Sequence, residues 1–198
     1  MSLFKVPFGA TPIDEDEKVD LIPSLSTRRE LNEFEWAGIL EARRWALSPR
    51  RIRRIEVFSE GFIRDLHRRM FRHTWKWAGK YRKTEKTIGV DPNRILTDLA
   101  NLLGDARYWV ENNTYSVDEA AVRFHPRLVY IHPFPNGNGR HARLVADVLL
   151  VQRGSRPLPW GAGAMPAEEA RTQYLSALRE ADAGRITNLL RLSRLGAF

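Results

Sequence analysis

The 198-residue chain contains no cysteine, which excludes a disulfide framework and any chemistry built on a thiolate. It has no apolar run approaching the ~20 residues of a membrane-spanning helix, and its first residues, Met1-Ser2-Leu3-Phe4-Lys5-Val6-Pro7, lack a long apolar core. No internal repeat is visible. These absences imply a soluble protein of the reducing cytoplasm with no membrane partner. Negative charge is also in short supply: 24 Asp and Glu face 32 Lys and Arg, a net charge of +8. Such a balance attracts nucleotides, nucleic acids or acidic protein surfaces without choosing among them. A hydrophobic content of 43% over this length suffices for one domain with its own core.

What is present is concentrated in one stretch, Ile131-His132-Pro133-Phe134-Pro135-Asn136-Gly137-Asn138-Gly139-Arg140-His141-Ala142-Arg143. Gly137 and Gly139 allow a tight turn and close approach of a ligand. The apolar positions that follow, Leu144, Val145, Val148, Leu149 and Val151, read as a helix whose first N–H groups face that turn. An anion is favoured there. Arg140 and Arg143, three apart, share one helix face and can hold the outer phosphates of a nucleotide while the N–H groups hold an inner one. His132 stands just before the turn, placed to take a proton from an incoming hydroxyl at neutral pH. His125 reads as a hydrogen-bonded packing residue and His141 as a surface one. The clusters Arg50-Arg51-Arg53-Arg54 and Arg68-Arg69-Arg72 read as solvated faces, so nucleic acid is a disfavoured partner.

The rest of the chain is mostly helical in pattern. Residues 1–24, with their prolines and the acidic run Asp14-Glu15-Asp16-Glu17, read as an irregular arm ahead of a single domain over 25–198. Thr27 and Glu30 form a capping box for a helix over about 27–47. Ser59 caps a second helix reaching Phe71, and Ile95, Leu99, Leu102, Leu103 and Trp109 mark a third. Ser116 to Glu119 reads as another capping box, opening the helix that leads into the motif. Lys83 to Val90, rich in Thr and β-branched residues, reads as a short hairpin, with Trp75 and Trp77 wedging its base. Beyond a Pro/Gly-rich loop ending at Pro166, helices are expected over about 167–183 and 186–195.

The run His132-Pro133-Phe134 through Gly137-Asn138-Gly139-Arg140 to Arg143 resembles the signature of the Fic (Fic/Doc) family, most of whose members transfer AMP from ATP to a hydroxyl side chain of a target protein. Trp77-Ala78-Gly79-Lys80-Tyr81-Arg82 resembles the approach to that family's flap, and Tyr174-Leu175-Ser176-Ala177-Leu178 with Ala183-Gly184 resembles its C-terminal helices. The stretch from Thr11 to Glu33 is most similar to the subgroup labelled mobile mystery protein B. The resemblance implies an all-α Fic-type domain with a β-hairpin flap over the active site. It also implies His132 as general base, and phosphates held by Gly137, Asn138, Gly139, Arg140 and Arg143. Asn136 would sit at the Mg²⁺ or Mn²⁺ position, where the family usually carries Asp or Glu. Ile88, Gly89, Val90 and Asp91 would touch the nucleotide from the flap, and Tyr174 and Asp182 from the adenine side, Asp182 replacing the common Asn. The target would bind by strand addition to the flap.

Two further implications remain at the level of resemblance. Gly139 stands where the phosphate-transferring Doc branch has lysine, which favours AMP transfer over phosphate, with UMP or phosphocholine transfer and a non-enzymatic basic interaction module as alternatives. Ser26 with Glu30 is similar to the family's inhibitory motif, in which the glutamate pairs with the second motif arginine, here Arg143, although Leu31 departs from the Gly or Asn that should follow. The same Glu30 is also the capping-box residue of its own helix.

Overall fold

The computed structural model describes residues 12–196, so residues 1–11 of the expected irregular arm lie outside the described part. Helix α1 covers Glu15–Lys18, α2 Arg28–Ala46, α3 Pro49–Ile52, α4 Glu60–Phe71, α5 Ile95–Glu111, α6 Val117–Ile131, α7 Asn138–Gln152, α8 Ala167–Asp182 and α9 Thr187–Arg194. Local chemistry explains most of these boundaries. Thr27 Oγ1 accepts from the Glu30 N–H at 3.2 Å while Glu30 Oε2 accepts from the Thr27 N–H at 2.9 Å, the reciprocal capping box that starts α2. Ser59 and Ser116 each accept from the N–H three residues on, and Ser116 does so without the reciprocal contact expected from Glu119.

Helices α6 and α7 form the central pair, joined by the motif turn. Along α7, Leu144, Val145, Val148 and Leu149 are all buried, as the apolar pattern requires, but so are Ala146, Asp147 and Leu150. The helix is therefore wrapped on most sides: α4 and α3 contact it, α2 lies on α4, α5 covers α6, and α8 and α9 close the far face of α6. Asp147 is reached from α2 by Arg43, an ion pair that ties the outer helix to the central one.

The N-terminal segment is docked rather than loose. Leu21 bridges Trp75 in antiparallel fashion, the Ile22 N–H donates to Thr74 O at 2.9 Å, and the Lys76 N–H donates to Asp20 O at 2.9 Å. Trp75 and Trp77 stack at 4.9 Å and are buried against this segment and α2, where Trp75 Nε1 donates to Glu35 Oε1 at 2.8 Å. They brace the N-terminal packing instead of wedging a hairpin.

The hairpin expected over 83–90 is not formed, and the described residues contain no strand. The reason is Arg82. Its side chain donates to Thr84 O at 2.8 Å and to Val90 O, so the carbonyls that cross-strand N–H groups would use are taken by one guanidinium. A second anchor holds the tip. The Lys86 ammonium, its side chain 2% exposed, donates to Asp14 Oδ2 and Glu17 Oε2, both at 2.6 Å, and Thr84 Oγ1 donates to Asp14 at 2.9 Å. Asp14 and Glu17, from the acidic run of the arm, are thus counter-charges of the flap.

These contacts hold the Asp14 carboxyl below its ordinary value of 3.8, first through the Lys86 hydrogen bond. A depressed carboxylate stabilises the fold above that value and ceases to do so as pH falls through its folded pKa. Replacing both carboxylates (Asp14→Asn with Glu17→Gln) leaves a buried ammonium without its counter-charges. The expected loss is about 3 kcal/mol, the low end for such a break because Asp14 is partly exposed. Thermal unfolding at pH 7 should show the loss, and the gap between variant and wild type should narrow as pH falls below 3.8 and Asp14 loses its charge in the wild type.

Candidate active site

Helix α6 ends at His132, whose φ of 52° and ψ of 57° place it in the left-handed region as the helix C-cap, with its N–H bonded to Leu128 O at 3.2 Å. Pro133 then prevents helix continuation. Arg82 secures this turn from the flap side: Nε donates to His132 O at 2.6 Å, Nη2 reaches Ile131 O at 3.4 Å, and its backbone N–H donates to Pro133 O at 3.0 Å. His132 itself is buried, 4% exposed. Its Nδ1 lies 3.2 Å from Val129 O; a carbonyl only accepts, so Nδ1 carries the hydrogen and the lone pair is on Nε2. Burial, with the positive charges of Arg82 and Lys86, pushes the imidazole down to about 4. It is a neutral base at physiological pH.

The turn that follows is closed by Asn138. Its Oδ1 accepts from the Phe134 N–H at 3.0 Å and its Nδ2 donates to Phe134 O at 2.8 Å. Gly137 caps α7 with φ 80°, and a Cβ there would lie 2.5 Å from the Phe71 ring, so both the backbone and the space demand glycine. The Gly137 N–H, expected to face a phosphate, instead donates to Asn136 Oδ1 at 2.7 Å. The N–H groups of the first turn of α7 are those of Asn138, Gly139 and Arg140, the positions of a helix where an anion is favoured.

Three buried residues that the sequence pattern did not single out for the site hold this geometry. His67 on α4 stacks on Phe134 at 3.7 Å, accepts from the Gly79 N–H at 3.0 Å on Nδ1, and donates from Nε2 to Asn136 O at 3.0 Å. Glu35 on α2 takes Arg140 Nη1 at 2.6 Å on one oxygen and Trp75 on the other. Arg82 is the third. A helical spacing of apolar neighbours marks α4 and α2 as core helices, but nothing local tells which of their polar residues points inward. His141, expected at the surface, is fully buried with Nε2 2.9 Å from Ile63 O, because the fourth position of α7 faces α4. His125 is a packing residue as expected, its Nε2 2.7 Å from the Tyr174 hydroxyl.

A cavity of about 620 Å³ opens over the turn, in the range that holds a nucleotide, and brings together His132, Asn136 through Arg140, Arg143, Ile88 and Tyr174. The Arg143 guanidinium lies 5.2 Å over the Tyr174 ring. Asp182 is not with them. It lines a second cavity of about 650 Å³ with Val90 and Ile131, on the other side of the His132 turn. Asp91 is exposed to a different task, accepting from the Asn93 N–H at 2.8 Å to start a short 3₁₀ turn. Gly89 lies so near His132 that a Cβ there would be 2.8 Å from His132 Cβ.

Glu30 does not reach the motif arginines. Its Oε2 accepts from the N–H groups of Ser26 at 2.8 Å and Thr27 at 2.9 Å, and these bonds hold its pKa down. The inhibitory pairing with Arg143 expected of Ser26 and Glu30 is replaced by the capping box, and the carboxylate at a motif arginine is Glu35, on Arg140. The donor set does not fit a protein-held divalent ion. No Asp or Glu lines the cavity, no cluster of three metal-ligating side chains occurs among the described residues, and Asn136 offers one neutral oxygen that already accepts from Gly137.

Residues 57–150 match the model of the Fic/DOC family. The protein adenylyltransferase Fic of Drosophila grimshawi is 31% identical over 145 residues, covering 71% of this chain and 28% of that protein. A probable protein adenylyltransferase of Aquifex aeolicus is 37% identical over 145 residues, covering 70% and 42%. The chain thus spans less than half the length of these relatives. Among solved structures, Fic-1 from C. elegans superposes with a TM-score of 0.67 at 27% identity, over 90% of this chain and 51% of that one. BepC of Bartonella tribocorum, with bound AMPPNP, gives 0.66 at 16% identity over 91% and 97%, a likeness of fold.

The contact of Gly89 with the base can be tested. A Cβ on Gly89 would lie 2.8 Å from His132 Cβ and 2.6 Å from Arg82 Nη2, at a φ of 122°. Gly89→Ala should cost about 1–3 kcal/mol in thermal unfolding. It should also let water reach His132, so that the imidazole pKa read by NMR rises from about 4 towards 6.5.

Proposed function

We propose, for a chain that carries a Fic/DOC family domain, that it is a protein adenylyltransferase which moves AMP from ATP to a hydroxyl side chain of a target protein. The observation that carries the reading is a buried, neutral imidazole beside a helix N-terminus lined with arginines, in one cavity of nucleotide size. The α-phosphate lies over the N–H groups at the start of α7, with Arg140 and Arg143 on the outer phosphates. Nε2 of His132 takes the proton of the target hydroxyl, whose oxygen bonds to the α-phosphorus. The bond from that phosphorus to the bridging oxygen breaks, and pyrophosphate leaves. Donors already fixed in place meet the charge that builds on the α-phosphoryl oxygens.

The target segment lies along the flap. Because Thr84 O and Val90 O are committed to Arg82, backbone pairing with the target falls on the residues between them. The Mg²⁺ or Mn²⁺ that the resemblance implies would find no Asp or Glu among the described residues of the cavity, only the neutral Asn136 oxygen, and would depend on the nucleotide for its charge. Kinship with the mobile mystery protein B subgroup and a cytoplasmic setting belong to this same proposal; no helix among the described residues is long and apolar enough to cross a membrane. A nucleic-acid interface is disfavoured by what the arginine clusters already do. Arg68 and Arg69 pair with Asp65, Arg72 pairs with Glu41 at 2.6 Å, and Arg51 and Arg69 lie over Trp45.

The test is transfer of label from ATP tagged on its α-phosphate. His132→Ala should lose at least about 100-fold in transfer rate while ATP still binds. In the wild type the acid limb of activity should fall near pH 4, where His132 protonates, instead of near 6.5. Label from the γ-phosphate alone would instead indicate phosphate transfer. Asn136→Asp should lower the Mg²⁺ concentration at half-maximal activity, since it adds the missing negative oxygen.

A further inference from the structure

Two of the arginines that line the cavity, Arg28 and Arg171, have no part in the transfer just described. Arg28 opens helix α2, and Asn32 and Glu35 follow at four and seven positions, so the three share one face of the helix. Glu35 is spent on Arg140, whereas Arg28 and Asn32 line the cavity over the motif turn. The Nε–H of Arg28 is buried and has no hydrogen-bond partner in the protein. Burying a charged donor without an acceptor is costly, and such a group marks a place where an acceptor is meant to arrive.

The surroundings say what kind of acceptor. Among the described residues four arginines, Arg28, Arg140, Arg143 and Arg171, line this cavity, and no Asp or Glu does. Burial lowers the pKa of Arg28, Arg140 and Arg171 repel its charge, and Glu35 alone opposes them. An anion of high charge density relieves all of these repulsions at once. The four arginines come from three separate elements, α2, α7 and α8, which fits a ligand that extends across the cavity better than a single small ion.

We propose that Arg28 is a specificity residue of this cavity: it binds the terminal phosphate of a nucleoside triphosphate, so the site selects triphosphates over monophosphates with arginine charge in place of a protein-held divalent ion. The inference rests on the ATP reading above and adds to it a residue outside the motif. The N-terminal helix then becomes a wall of the nucleotide site, and Arg28 shares the outermost phosphate with Arg143.

The experiment is calorimetric titration of the full chain with ATP, AMP and inorganic tripolyphosphate in EDTA, for wild type, Arg28→Gln and Arg28→Lys. Arg28→Gln should weaken ATP and tripolyphosphate about tenfold or more, the worth of a charge-assisted hydrogen bond, and leave AMP within about twofold. Arg28→Lys should fall between, since it keeps the charge and loses the fork. Equal ATP affinity in wild type and either variant overturns the role of Arg28, as does an equal loss for AMP, which would mean a general effect on the cavity. If wild type binds tripolyphosphate but not ATP, and Arg28→Gln loses it, Arg28 stands as an anion residue while the ATP reading falls. Failure of wild type to bind either ligand overturns both. Should Arg28→Gln not fold, as judged by circular dichroism, Arg28→Lys decides the same comparison.

Discussion

The site depends on the bonds of one buried guanidinium. Arg82 is 3% exposed and donates to His132 O, Ile131 O, Thr84 O and Val90 O, so it joins the end of α6, the left-handed turn and both arms of the flap. A buried arginine is tolerable when its donors are satisfied, and carbonyl oxygens satisfy them without supplying a counter-charge. Its positive charge therefore persists beside His132 and helps keep the imidazole neutral. One residue thus holds the His132 turn and the segment above it, and adds to the burial that keeps the imidazole neutral.

The N-terminal helix has a comparable role on the opposite side of the turn. Glu35 is 2% exposed and divides its two oxygens between Trp75 and Arg140, so the carboxylate that orients a motif arginine is itself held by the N-terminal packing. Breaking such a buried pair from either end strands a charge. The coupling runs from the docked segment around Leu21, through Trp75 and Glu35, to Arg140. It makes the position of that arginine a property of the whole assembly rather than of the motif alone.

How much of this was legible in the sequence follows from the range of each interaction. The seven longer helices of the described residues, the caps at Thr27 and Ser59 and the motif turn were legible because their signals lie within a few residues of one another, whereas the single-turn helices α1, inside the expected irregular arm, and α3 were not. Inside that turn the reading was incomplete: the closure of Asn138 on Phe134 was not foreseen, and the expected use of the Gly137 N–H was wrong because Asn136 competes for it from next door. Arg82, His67 and Glu35 act across separations of 50, 69 and 105 residues, where periodicity says only that a helix has an inner face. The same distinction decides Glu30. Two readings competed for one carboxylate, and the local one won because a capping box closes within three residues and needs no tertiary partner. The hairpin failed for the converse reason: its β-branched composition was real, but a distant guanidinium and an acidic arm supplied better partners for its backbone and its lysine.

The charge arrangement follows from the same economy. A base that must remain neutral near pH 7 gains from positive neighbours, which disfavour its protonated form, whereas a carboxylate in the same cavity would raise its pKa and repel phosphates. The cavity lining obeys both demands, with arginines around it and no Asp or Glu among the described residues that line it. Carboxylates are placed behind the wall instead: Glu35 on Arg140, Asp147 on Arg43, and Asp14 and Glu17 on Lys86. Glu35 holds a cation of the lining without lining the cavity itself, whereas Arg43 and Lys86 stand outside the lining and are paired there. Cationic side chains can then be packed at the density an anionic ligand needs without the fold bearing their full mutual repulsion, and what repulsion remains, as at Arg28, is relieved by the ligand itself.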